Sequence, residues 1–298
     1  MLHIATLTAN PENPVLDARL LESVGAVLPQ AQPPVWLAPG IAADIAFTPP
    51  STETRDLAGI ARAALGGALA DVNLLPAEGR RKRLLLADMD STMIEQECLD
   101  ELADLVGLKA HVATITERTM RGELDFEPAL KERVALLKGL KLDAVAQVLD
   151  EKISLIAGGT TLIATMRAHG AYTALVSGGF TLFTGPIGAR IGFHEARGNV
   201  LDHANGELLG TVASPILGKD AKRAALIELR DAHRLSPDET LAVGDGANDL
   251  AMLEEAALGV AFRAKPAVAA AARARIEHGD LTALLYLQGY RSGDFVTA

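Results

Sequence analysis

Three segments of the chain place acidic and hydroxyl side chains where an apolar run stops. Leu84-Leu85-Leu86-Ala87 ends in Asp88-Met89-Asp90-Ser91-Thr92. Tyr172 to Val176 ends in Ser177-Gly178-Gly179, and Leu241 to Val243 ends in Gly244-Asp245-Gly246-Ala247-Asn248-Asp249. Brought together, Asp88, Asp90, Asp245 and Asp249 would repel one another severely without a cation. Hard oxygen donors, with little nitrogen and no sulfur, favour Mg²⁺, which keeps several waters and shares its shell with phosphate. Ser177 followed by two glycines offers a hydroxyl and unobstructed backbone N–H groups, a cradle for phosphate oxygens. Lys222 adds a positive charge. A carboxylate nucleophile, a metal, a cation and a hydroxyl donor are the parts of a phosphoryl-transfer centre. Singly, each has a bland reading: a strand-end Asp is usually a cap or turn, Ser-Gly-Gly a turn, and a helical Lys solvated. Their combination in this order carries the chemistry.

The positioning elements follow from the apolar pattern. Short runs without alternation suit strands buried on both faces of a parallel sheet. They fall at Leu84–Ala87, Tyr172–Val176, Leu241–Val243 and Leu258–Phe262, with helical stretches such as Asp220 to Ala232 between them. A doubly wound α/β core over residues 81–95 and 158–298 is expected. In such sheets, function gathers at the carboxyl ends of the strands, where the three motifs lie. Between the first two strands, Gln96 to Ala157 reads as helical: Leu130, Val134 and Leu137 recur at helical spacing, as do Leu102 with Val106 and Val145 with Leu149. That is too long for one crossover helix, so residues 96–157 are expected to form an inserted helical cap.

Residues 1–80 read as a separate α+β unit. Leu2 to Thr8, Val35 to Leu37, Ile41 to Phe47 and Val72 to Leu75 suggest strands, and Val15 to Val27 and Thr54 to Leu69 suggest helices. The order is that of a split βαβ, ferredoxin-like fold. Pro76 to Arg83, with its basic Arg80-Arg81-Lys82-Arg83, reads as a solvated linker. The chain has 298 residues, 28 Lys and Arg against 38 Asp and Glu, and a formal charge of -10. That argues against general nucleic-acid affinity. One cysteine, Cys98, excludes a disulfide framework and reads as a small buried hydrophobe. His169 and His194 carry no ligand signature. The uncharged stretches Ser23–Ala43 and Gly170–Ala189 are broken by Pro and Gly, and Met1-Leu2-His3-Ile4 does not open a signal peptide. A soluble, cytoplasmic protein with no membrane partner is expected.

The motifs resemble those of the haloacid-dehalogenase superfamily of Mg²⁺-dependent phosphotransferases and, within it, the phosphoserine phosphatase family. The likeness runs from about Arg83 to Leu287. It rests on Asp88 to Cys98, Met120-Arg121-Gly122-Glu123-Leu124-Asp125-Phe126, Arg133-Val134-Ala135-Leu136-Leu137-Lys138, Ser177-Gly178-Gly179-Phe180 and Val243 to Asp249. The resemblance implies hydrolysis of O-phospho-L-serine in serine synthesis. It makes Asp88 the nucleophile, forming an aspartyl-phosphate, and Asp90 the general acid and then base. Mg²⁺ would be held by the Asp88 side chain, the Asp90 carbonyl and Asp245, with Asp249 in support. Ser177, Gly178, Gly179 and Lys222 would hold phosphate, with Asn248 nearby. Glu97 would meet the substrate ammonium and Arg133 its carboxylate, with Met120 and Phe126 as pocket walls. For the first 80 residues, the element order resembles an ACT-like domain, which implies a serine-responsive regulatory module, a homodimer contact or a relic. Two rivals stand beside this reading: another phosphomonoesterase or phosphotransferase of the superfamily acting on a small phosphorylated amino acid, and a non-enzymatic phospho-acceptor. Asp90 and the cap are superfluous in the latter.

Overall fold

In the computed structural model, which describes residues 1–50 and 55–297, small and branched apolar residues put β1 (His3–Ala9) at the centre of an antiparallel sheet. α1 (Ala18–Val27) starts where the Asp17 carboxylate accepts a hydrogen bond from the Leu20 amide at 2.7 Å, satisfying an otherwise unpaired donor. β2 (Val35–Ala38), β3 (Ala42–Phe47), α2 (Arg55–Ala63) and β4 (Ala70–Pro76) complete the run. The strand order β2-β3-β1-β4 is ferredoxin-like, as expected. α2 stops short of Leu69 because Gly66 and Gly67 turn the chain with positive φ; the expected start, Thr54, lies outside the described residues. One face of the sheet buries Ala5, Leu7, Ile45, Phe47 and Val72 with Leu21 and Val24 of α1 and Ala61 of α2.

The other face is polar yet buried. Thr6 donates to Asp44 at 2.7 Å, and Arg80 reaches both: Nη1 lies 2.6 Å from Asp44 Oδ2, and Nη2 donates to Thr6 at 3.0 Å. Arg80 also donates to the carbonyls of Leu287 and Tyr286, on a helix at Ala283–Leu287 that belongs to the same compact unit. That unit comprises Met1–Arg83, Ala157–Gly170 and Ala274–Ala298. Arg80 is therefore not part of a solvated linker: backbone carbonyls and a buried carboxylate take its donors.

The second unit, Leu84–Ile156 and Ala171–Arg273, carries the motifs. β5 (Leu84–Ala87) is fully buried. After it come α3 (Cys98–Asp104), α4 (Lys109–Met120), α5 (Phe126–Ala135) and α6 (Leu142–Glu151), while α7 (Gly159–Ala168) falls in the first unit. The chain continues through β6 (Tyr172–Phe180), α8 (Thr181–Ile191), β7 (Glu195–Asn199), β8 (Leu201–Ala204), β9 (Glu207–Val212), α9 (Lys219–Ala232), β10 (Thr240–Gly244), α10 (Leu250–Glu255) and β11 (Leu258–Phe262). Parallel strands in the order β11-β10-β5-β6-β7 form the sheet. The register pairs Ala87 with both Val243 and Leu175, so the three motifs leave the sheet side by side. Leu84, Leu86, Ala174, Val176 and Ala242 pack on Leu226 and Leu229 of α9 and Met252 of α10.

The helical segment between β5 and β6 is broken by left-handed turns at Gly107, Gly122 and Gly139. Leu102, Leu130, Val134, Leu137 and Val145 are buried, but Val106, beside the Gly107 turn, is exposed. β7 to β9 escaped the pattern. β7 is a half-buried sheet-edge strand with charged side chains, and β8 and β9 pair as a hairpin around Asn205-Gly206, both at positive φ. That hairpin meets the helical segment, with Gly139 N donating to Leu208 O and Leu142 N to Gly206 O, both at 2.9 Å. No helix among the described residues is long and apolar enough to cross a membrane.

Removing Arg80 strands the Asp44 carboxylate in a buried setting. Arg80→Leu should cost about 3–5 kcal/mol in urea denaturation, and adding Asp44→Leu should recover much of that loss.

Candidate active site

β5 ends because the backbone after Ala87 turns tightly. Asp88 N still donates to Val243 O at 3.0 Å, but the amides of Thr92, Met93 and Ile94 all converge on the Met89 carbonyl. Ser91 takes a positive φ of 54°, uncommon for a residue with a side chain. Its hydroxyl donates to Glu97 Oε1 at 2.7 Å. The loop thus presents Asp88 and Asp90 while bringing Glu97, at the start of α3, beside them.

Asp88 Oδ1 accepts from the Lys222 ammonium at 2.7 Å and from the Met89 amide at 2.8 Å, which fixes the plane of the carboxylate. The same ammonium lies 2.7 Å from Asp249 Oδ1, and Lys222 is fully buried. Asp249 Oδ2 accepts from the amides of Asp245 and Gly246 at 3.2 and 3.0 Å. Gly244 makes room for this approach, since a Cβ there would collide with the Asp249 carboxylate. Thr92 reaches Asp245 at a long 3.4 Å. Asp88, Asp245 and Asp249 offer oxygens within 4.8 Å of one another. Burial alone would lower the Lys222 ammonium; Asp249 and Asp88 more than reverse that, so it stays charged. One ammonium does not balance the set. Burial, then Asp249 and Asp88, push Asp245 well above the usual carboxylate range. Burial and the Asp88 charge push Asp249 up to about 7 against the pull of Lys222. Three buried carboxylates with hard oxygen donors and, among the described residues, one buried ammonium in contact with them fit a divalent metal ion.

Asp90 accepts from the Cys98 amide at 3.2 Å. Burial pushes its carboxyl up to about 7, with Asp88 adding to the shift and the Cys98 contacts opposing it. The Cys98 thiol is itself pushed well up by burial and by Asp90, which keeps it protonated.

A cavity of about 60 Å³ joins these groups to the helical segment, and Asp88, Asp90, Glu97, Phe126, Arg133, Ser177, Gly178, Gly179 and Asn248 all line it. Lys222, Asp245 and Asp249 are not in the lining; the Lys222 ammonium lies behind it, in contact with Asp88. Phe126, at the start of α5, packs so closely on Gly178 that a Cβ there would come within 2.8 Å of the ring. Ser177 is buried, and its Oγ accepts from the Gly179 amide at 2.8 Å. The Met120 side chain lies outside the described residues.

Glu97 makes no helix-capping bond, and Arg133 is not an exposed partner of Glu127 or Glu132. Burial, then Asp90 and Asp245, push Glu97 well above its ordinary value, whereas burial lowers Arg133. No ion pair joins the two among the described residues. One cavity therefore holds, among the described residues, an acid with no cation bonded to it and a guanidinium with no carboxylate bonded to it directly.

A family model described as haloacid dehalogenase-like hydrolase matches residues 85–254. The chain belongs to that family. It is 44% identical over 210 residues to a phosphoserine phosphatase of Albidiferax ferrireducens, an alignment covering 69% of this chain and 89% of that protein. Among solved structures, it is similar to a HAD family hydrolase from Salmonella enterica serovar Typhi (TM-score 0.84, 27% identity, 96% of this chain and 98% of that one). It is also similar to a structure described as a phospho-aspartyl intermediate analogue of phosphoserine phosphatase (TM-score 0.66, 36% identity, 69% of this chain and 98% of that one). As a family member, the chain is a hydrolase with an α/β core and a central parallel sheet.

Sequence reading missed Asn199, at the end of β7. It is buried, and its Nδ2 donates to Gly178 O at 2.8 Å and Leu217 O at 3.2 Å, while Leu217 N donates to its Oδ1 at 2.7 Å. One side chain thus ties the Ser177-Gly178 end of β6 to the approach to α9, which carries Lys222. The Asn199–Val200 step into an unforeseen hairpin left no periodic signal to find it. Asn199→Asp would face two carbonyls with a carboxylate. A loss of about 2 kcal/mol in chemical denaturation is expected, with a fall in phosphomonoester turnover beyond what the unfolded fraction explains.

Proposed function

We propose that the chain is a phosphoserine phosphatase, hydrolysing O-phospho-L-serine to serine and phosphate. The observation that carries this reading is the pair Glu97 and Arg133, a carboxyl and a guanidinium that line the same cavity as Asp88 and Asp90 without pairing with each other. An amino-acid end with an ammonium and a carboxylate satisfies both, and an Arg fork suits the carboxylate. The phosphoserine phosphatases among its relatives support the same substrate.

In this reading, an Asp88 carboxylate oxygen attacks phosphorus in line, and the bond from phosphorus to the serine oxygen breaks. Asp90, whose carboxyl titrates near neutrality, gives its proton to that departing oxygen, because an alkoxide is a poor leaving group. The phosphoryl group then sits on Asp88 as an acyl phosphate. Water attacks its phosphorus, Asp90 takes the water's proton, and phosphate leaves with the Asp88 carboxylate restored. Ser177, Gly178 and Gly179 hold phosphate oxygens, with Asn248 beside them. Lys222 holds Asp88 from beneath and adds its charge to the phosphate field. Asp88, the Asp90 carbonyl and Asp245 would hold Mg²⁺, with Asp249 in support, and the ion would supply positive charge against the phosphate oxygens. Residues 96–157 act as a cap that carries the substrate-reading side chains and, when closed, keeps bulk water out. Serine synthesis is the pathway this activity serves.

Phosphate release should be fastest on O-phospho-L-serine in a panel that includes phosphothreonine and sugar phosphates. It should stop with chelator and return with Mg²⁺. Asp88→Asn should lower kcat by about 10³-fold or more while leaving the fold intact by circular dichroism. Equal rates on sugar phosphates would exclude the substrate assignment, and an active Asp88→Asn would exclude the nucleophile.

A further inference from the structure

Arg133 is held by a chain of hydrogen bonds that crosses the helical segment. Its Nε donates to Ala129 O at 3.1 Å, one turn back on α5, and its Nη1 donates to Thr116 Oγ1 on α4 at 2.8 Å. Having accepted that bond, the Thr116 hydroxyl turns its own proton to Asp100 Oδ1 on α3, at 2.7 Å. All three side chains are buried. A guanidinium has five N–H donors in one rigid plane. Engaging Nε and one Nη1 proton fixes that plane and leaves the other three donors for whatever enters the cavity that Arg133 lines.

The arrangement solves a specific problem. A buried guanidinium needs negative charge nearby, but a carboxylate bonded directly to it would occupy the donors that a substrate needs. Asp100 supplies the charge from one bond further away, and Thr116 transmits the orientation. We propose that Asp100 and Thr116 are positioning residues that aim Arg133 and so set the preference for a substrate bearing a carboxylate. The proposal rests on the phosphoserine reading above and adds two residues to it: Thr116, which lines the cavity beside Arg133, and Asp100, which lies behind the lining.

The test compares kcat/KM on O-phospho-L-serine with kcat/KM on O-phosphoethanolamine, which keeps the ammonium and lacks the carboxylate. Thr116→Val removes the relay at nearly constant shape, Asp100→Asn removes its charge, and Thr116→Ser keeps the hydroxyl. The ratio of the two kcat/KM values should fall about tenfold in Thr116→Val and Asp100→Asn, chiefly through KM for phosphoserine, and should stay near wild type in Thr116→Ser. A merely structural role would lower both substrates alike and leave the ratio unchanged, which would overturn the proposal while leaving phosphoserine as substrate. A wild-type ratio near one would instead remove the phosphoserine reading, and this proposal with it.

Discussion

The site is organised around one buried ammonium. Lys222 has no exposed surface and touches two carboxylates, Asp88 and Asp249, at 2.7 Å each. A buried charge of that kind persists only when its partners are fixed, and here every partner is. Asp249 is held by two backbone amides beyond β10, Asp88 by its neighbour's amide at the end of β5, and Lys222 by the packing of α9 on the sheet. The ammonium thereby locks three elements that are far apart in sequence. It also leaves the cluster short of positive charge, because Asp245 is buried in the same group. That shortage is the physical reason for proposing a divalent ion there, and a phosphate approaching a bound ion meets positive charge on a negatively charged chain.

A second imbalance, of opposite design, lies across the cavity. Glu97 and Arg133 face the same space without pairing, and each is displaced from its ordinary titration by burial. The first cluster suits a phosphate and the second a zwitterion. Their separation over α3, α5 and the strand ends joins a general phosphoryl-transfer edge to an added helical segment that reads the rest of the molecule.

The strand-end motifs were legible because a buried parallel strand has a simple signature. β5 and β11 lie where the unalternating runs put them, and the polar residue after such a run has few reasons to be there other than chemistry. Glu97 and Arg133 were ambiguous from spacing alone, since a first-turn acid favoured by the helix dipole and an exposed arginine beside Glu132 or Glu127 look the same in a sequence; the family motifs around them tipped the reading. Asn199, Thr116 and Asp100 left no trace, because each acts by bonding across elements rather than by any period along its own. β7 to β9 were missed for a related reason: an edge strand with charged side chains does not alternate cleanly, although Asn205-Gly206 was a usable hairpin signal. Within the basic run, Arg80 departed from the solvated-linker reading, because a polar sheet face, with Thr6 and Asp44 turned toward it, is not visible until the sheet is built; Arg81 and Arg83 are exposed.

Charge deficit at the carboxylate cluster is the claim on which both the chemistry and the choice of cofactor depend. Titration calorimetry of Mg²⁺ into the wild-type chain, beside Asp245→Asn, measures it without any substrate. One ion bound per chain by the wild type, with binding lost or greatly weakened in Asp245→Asn, is the result expected. A wild-type chain that binds no Mg²⁺, or an Asp245→Asn chain that binds it equally well, would contradict the account.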